Sequence, residues 1–77
     1  VIVGLPKTDT CRITAERLED GGVFVRLEAE GTTLAPVHFQ PTRYVKANAR
    51  AYIDLLANVC RRYHGISNVI IEDGGVS

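Results

Sequence analysis

The sequence predicts an α+β domain of order β-β-β-α-β: an antiparallel hairpin plus an edge strand, one long amphipathic helix packed on one face of the sheet, and a C-terminal strand. Three observations carry this reading. Two neighbouring segments alternate apolar and polar residues with period two. A later segment repeats apolar residues at spacings of three and four. A short continuous apolar run follows it.

Residues 10–18 (TCRITAERL) set Cys11, Ile13 and Ala15 on one face and Arg12, Thr14 and Glu16 on the other. Residues 23–30 (VFVRLEAE) set Val23, Val25, Leu27 and Ala29 against Phe24, Arg26, Glu28 and Glu30. Such alternation marks strands with one buried face. Glu19-Asp20-Gly21-Gly22 between them is a hairpin signal. A loop of Asp20, Gly21 and Gly22 keeps both apolar sets on one face and pairs residue 19 with residue 23. That register puts Arg12 opposite Glu30, Glu16 opposite Arg26 and Leu18 opposite Phe24, each pair contributing up to about 1 kcal/mol. Leu18 and Phe24 then form an apolar spot on a polar sheet face, a candidate binding patch.

Gly31-Thr32-Thr33 reads as a second turn, and residues 34–39 (LAPVHF) as a third strand. Pro36 cannot donate to a ladder, so this strand belongs at an edge, with Val37 and Phe39 toward the core and His38 toward solvent. Thr42 after Pro41 is a plausible N-cap. From there Val45, Ala49, Tyr52, Ile53, Leu56, Val59, Cys60 and Tyr63 form the apolar stripe of a helix about six turns long. Gly65 fits the C′ position that ends it. Residues 68–72 (NVIIE) do not alternate, which predicts a central strand buried on both faces. Asp73-Gly74-Gly75 breaks it. Residues 1–9, opening VIV, are a candidate extra strand or arm.

A chain of 77 residues forms one small domain, 1–77. It buries only ~60% of its unfolded surface, which favours help from a bridge, a metal or a partner chain. A formal charge of +0 gives no net attraction to nucleic acid or a membrane. No apolar run approaches the ~18 residues of a membrane helix, and the first residues lack the basic head of a signal peptide. The expected setting is cytoplasmic. The two cysteines, Cys11 and Cys60, lie on different predicted elements without Cys-x-x-Cys spacing. The expectation is two reduced thiols that pack as small hydrophobes. A single bridge is the alternative that an even count permits in a secreted protein.

Residues 59–65 (VCRRYHG) bring a thiol, two guanidiniums, a phenol and an imidazole together. Cys60 and His64 are four apart on one helix, so their side chains can meet, and a Cys/His couple can activate a thiolate. Cys60 also lies on the apolar stripe, where burial makes a thiol inert. Arg61, Arg62 and His64 fall in the last turn, where cations suit the helix dipole. His38 reads as a solvated side chain. The pairs Glu19-Asp20 and Glu72-Asp73 sit beside glycines and read as turn chemistry. Gly21-Gly22 and Gly74-Gly75 lack the strand–loop–helix order that cradles a phosphate. No catalytic residue, metal ligand or cofactor is expected. The binding candidates are Arg43, Lys46, Arg50 and Arg61 on the exposed helix face, together with Leu18 and Phe24. Arg43 and Lys46 stand against the dipole at the helix start, where free N–H groups already favour anions.

The order of hairpin, long helix and apolar strand ending in an acidic-glycine turn resembles the acyl carrier subunit of citrate lyase, the similar part being residues 50–75 (RAYIDLLANVCRRYHGISNVIIEDGG). That family carries its prosthetic group on a serine near the start, and Lys7-Thr8-Asp9-Thr10 offers none. The spacing from Phe39 to Glu72 is similar to the first half of an OmpA-like peptidoglycan-binding domain. Neither likeness includes a diagnostic motif, and no family is assigned from them.

The expected function is a small non-enzymatic partner-binding or assembly domain that forms a homodimer, its partner a protein or a second copy, with no membrane role. The alternatives are a nucleic-acid-binding regulator using the basic helix face, and a thiol-dependent enzyme built on Cys60.

Overall fold

The computed structural model describes residues 2–74. It contains β1 (Thr10–Arg17), β2 (Val23–Ala29), β3 (Thr32–Phe39), α1 (Val45–Arg62) and β4 (Asn68–Glu72). The strands form one sheet in the order β3-β2-β1-β4. β1 and β3 pair antiparallel with β2, while β4 pairs parallel with β1. The predicted order β-β-β-α-β is present, in a mixed sheet. The parallel pair arises because α1 carries the chain from the β3 edge across to the β4 edge.

One face of the sheet is buried under α1. Cys11, Ile13 and Ala15 of β1 and Val23, Val25, Leu27 and Ala29 of β2 meet Val45, Ala49, Ile53, Leu56, Ala57 and Cys60 of α1. The period-two alternation therefore places the intended residues inside. Among the described residues, no polar side chain joins this core.

The hairpin register differs from the predicted one by two residues. Arg12 pairs with Glu28, Thr14 with Arg26 and Glu16 with Phe24. The loop is Glu19-Asp20-Gly21. Gly21 N–H donates to the Leu18 carbonyl at 3.0 Å, and Leu18 N–H to the Gly22 carbonyl at 2.9 Å. Asp20 Oδ1 accepts the Gly22 N–H at 2.8 Å, and Gly21 takes φ +89°. A turn closed by an aspartate with a left-handed glycine after it outweighs the cross-strand charge pairs. A shift of two leaves both faces intact, so the core is blind to it. The charges find other partners: Arg12 Nε meets Glu72 at 2.8 Å and Arg26 Nε meets Glu28 at 2.8 Å.

Gly22 is buried, and a Cβ there would stand 2.7 Å from the Phe39 carbonyl oxygen and 2.9 Å from His38 Nε2. Gly22→Ala is expected to destabilise by about 1–3 kcal/mol by forcing β3 away from the loop. A urea midpoint matching the parent's contradicts this packing.

β3 starts at Thr32, because Glu30 (φ 49°) and Gly31 (φ 76°) alone make the turn. Both central residues are left-handed, as a tight hairpin requires. β3 is an edge strand, as Pro36 predicts. Its ladder with β2 shifts register between Val25 and Leu27, opposite Ala35 and Pro36, and Ala35 has φ 49°.

α1 starts at Val45 and not at Thr42, and its 18 residues make about five turns. Thr42 closes a tight turn before the helix instead. Its Oγ1 accepts from Tyr44 N–H at 3.3 Å, and its carbonyl accepts from Val45 N–H at 3.2 Å. At the other end Gly65 (φ +66°) reverses the chain, so that Ile66 N–H reaches the Cys60 carbonyl at 3.0 Å and Ile66 is buried. Tyr63 falls beyond the helix and is 72% exposed, so it is not a core residue. Tyr52 stays half-buried: its hydroxyl donates to the Ala35 carbonyl at 2.9 Å, and its ring meets Phe39 edge-on.

Two further expectations are corrected. β4 is not central: it is the second edge strand of the sheet, and Ile70 and Ile71 are 37% and 44% exposed. A continuous apolar run signals burial only where something covers both faces, and α1 leaves the β4 margin uncovered. Residues 2–9 form no strand. They make an arm in which Ile2 and Leu5 pack against the core, and Ile2 N–H donates to His64 Nε2 at 3.0 Å. Val1 of the opening VIV and Gly75 of the closing turn lie outside the described residues.

Candidate protein interface

The two sheet edges differ in kind. β3 carries Pro36, a left-handed Ala35 and a broken ladder, all features that discourage another strand from pairing. β4 has five residues, no proline and one charge, Glu72. Among the described residues it pairs with β1 alone, so the outward backbone groups form a free edge.

The parallel register assigns the β4 side chains to faces. Val69 aligns with Cys11 and Ile71 with Ile13, so both point to the helix side. Ile70 aligns with Arg12 and Glu72 with Thr14, on the opposite face. Each face of the edge therefore shows one exposed isoleucine. On the helix side, Ile71 borders a shallow cleft of about 140 Å³ with Arg50, Ile53, Asp54 and Asp73. On the other face, the Arg12–Glu72 ion pair frames Ile70.

The predicted binding residues do not converge. Arg50 borders the β4 cleft together with Asp54 and Asp73. Arg43 lies over the Tyr44 ring at 5.3 Å, ahead of the helix. Lys46 and Arg61 are exposed and separated by about 22 Å of helix rise. Leu18 faces the loop residue Gly22. Phe24 stands between Glu16 and His38 on the open sheet face. Leu18 and Phe24 are both half-buried and do not pair. Ile70 and Ile71 were not among the predicted residues. Their signal was the NVIIE run itself, read as burial. A second apolar hollow of about 510 Å³ lies between the arm (Ile2, Val3), Ala35 and the helix residues Tyr52, Leu55, Leu56 and Val59.

The cysteines, distant in sequence, meet in the core. Cys11 is 2% exposed and Cys60 0%. Burial first, then the neighbouring Cys11 thiol, pushes the Cys60 thiol up to about 12. His64 spends its Nε2 on Ile2 and not on Cys60, so the proposed Cys60/His64 couple is not assembled.

This burial has a pH consequence. The Cys60 thiol ionises near its usual 9.0 once unfolded and near 12 when folded. Its contribution to stability is complete below pH 9.0 and is lost as pH rises toward 12. Tyr52, pushed upward by burial, acts in the same direction. The urea midpoint of the reduced protein is expected to fall between about pH 8.5 and about pH 10.5, and to fall less in Cys60→Ala. Equal slopes in the two proteins contradict the assignment.

Among the described residues, no group of three or more His, Cys, Asp or Glu side chains is placed to hold a metal ion. No described helix is long and apolar enough to cross a membrane. No protein-family model matches the chain, and comparison with curated proteins and with solved structures gives no significant match.

Proposed function

We propose that this protein is a non-enzymatic assembly domain whose β4 edge pairs with β4 of a second copy. The observation that carries this reading is the free, proline-free edge with an exposed isoleucine on each face. Strand addition satisfies the open backbone groups and covers both side chains at once.

The strand's own sequence argues for a second copy as occupant. Antiparallel pairing centred on Ile70 sets Ile70 against its symmetry mate, Val69 against Ile71, and Asn68 against Glu72. Residue i meets j and j meets i, as a two-fold interface demands. Directly opposed residues share a face, so Val69 and Ile71 meet on the helix side and extend the core across the junction. The strand's one carboxylate faces an amide, and no like charges oppose each other.

Sedimentation over about 1–500 μM is expected to show a concentration-dependent monomer–dimer equilibrium. Amide exchange in residues 68–72 is expected to slow as dimer accumulates. A monomer throughout that range overturns the proposal.

On this reading the basic residues at the helix start are solvated. Arg43→Ala with Lys46→Ala is expected to leave the dimerisation constant within about threefold of the parent, since neither residue lies at the β4 edge. Binding to single- or double-stranded DNA at low salt that disappears in this double variant would favour the nucleic-acid alternative.

A further inference from the structure

We propose that Cys11 and Cys60 form an intramolecular disulfide that fastens α1 to β1 when the chain folds in an oxidising environment. The chain has two cysteines, and the fold places them against each other. Cys11 lies on the helix-facing side of β1, and Cys60 lies in the last turn of α1. Both are fully enclosed in the one core cluster, on facing sides of β1 and α1, and the Cys11 thiol stands close enough to push the Cys60 thiol upward. No other thiol exists to compete for either one. In a core with no polar side chain, replacing two S–H groups by an S–S bond removes two weak donors and adds no atom.

The site suits this chain for two reasons. A small domain has a limited core, and a bridge is a common way to add stability. The bridge would also close a loop from β1 through β2, β3 and most of α1, and long loops lose the most unfolded-state entropy when closed. Because each folded thiol is shielded from solvent, exchange runs in the unfolded or opened chain, and folding then protects the product.

The oxidant class is a disulfide, and glutathione disulfide serves as the probe. One cysteine thiolate attacks a sulfur of glutathione disulfide, forms a mixed disulfide and expels one glutathione thiolate. The other cysteine thiolate then attacks the protein-side sulfur and expels the second glutathione. The two cysteines lose two protons and two electrons, and the glutathione disulfide becomes two glutathione thiols.

The test refolds the full chain from denaturant in a glutathione redox buffer and compares it with the fully reduced chain. The expected product is monomer-linked, about 2 Da lighter, and yields one tryptic peptide pair joining Cys11 to Cys60. Its Tm is expected to exceed that of the reduced chain by about 10 °C or more. Cys11→Ala and Cys60→Ala are each expected to lose the linked peptide and the Tm gain. Three results would overturn the proposal: free thiols after refolding, glutathione adducts or intermolecular links as the main product, or a linked product with a Tm at or below the reduced chain's. The unsubstituted chain alone decides these outcomes, so a variant that fails to fold does not matter.

Discussion

Ile71→Lys is expected to hold the protein as a monomer at concentrations where the unsubstituted chain pairs. Ile71 is 44% exposed and points to the helix side of the edge strand. In the free protein a lysine there extends into water along the Arg50–Asp54–Asp73 cleft and disturbs nothing buried. In the symmetric pair each lysine meets Val69 of the other copy, between two helices. Two unpaired ammonium groups taken from water cost at least about 3 kcal/mol, which is about 100-fold in the dimerisation constant. Ile70→Lys acts on the opposite face, at the two-fold axis, where two like charges confront each other. Both variants are expected to keep the parent's far-UV circular dichroism and monomer stability within about 0.5 kcal/mol, as exposed positions do. Sedimentation at matched concentrations checks this. An unchanged dimer in both variants moves the interface away from β4.

Leu27→Ala is expected to have the largest effect on folding. Leu27 is fully buried in β2, opposite Ile13 on β1 and Leu34 on β3. Truncation removes three carbons from the point where three strands and the helix converge. The loss is about 2–5 kcal/mol, from lost transfer energy plus the cavity left behind. Small domains hold only about 5–15 kcal/mol in total, so the Tm is expected to fall by about 10 °C or more. Leu55→Ala, on the exposed side of α1, is expected to change stability by about 0.5 kcal/mol or less. Urea unfolding of both variants tests the contrast. Comparable losses would place Leu55 in contact with something the monomer does not contain, and the apolar hollow beside it would be the first place to look.

The core was legible because it depends on local rules. Alternation in β1 and β2 and the spacing in α1 specify which side chains turn inward, whatever the register. The helix stop was legible for the same reason: Gly65 adopts the left-handed geometry it signals. The hairpin register was not, since two alignments two residues apart bury the same face. Asp20 decided between them through one hydrogen bond to Gly22, stronger in effect than exposed charge pairs. The start of α1 was missed because Thr42 can cap a turn as well as a helix.

The candidate interface was hardest to read. The run NVIIE has the same composition whether covered or bare, because composition reports preference for burial and not what is available to cover it. The basic residues drew attention by their charge, yet the fold spreads them along the helix and sets Asp54 and Asp73 beside Arg50.

The sequence by itself therefore determined the element order, the buried face of the hairpin and the apolar stripe of the helix, since these follow from side-chain periodicity within each segment. Only the tertiary structure decided that β4 is an edge strand and that Cys11 meets Cys60. Both depend on where a single helix crosses a four-stranded sheet, a contact between distant segments that no local pattern encodes.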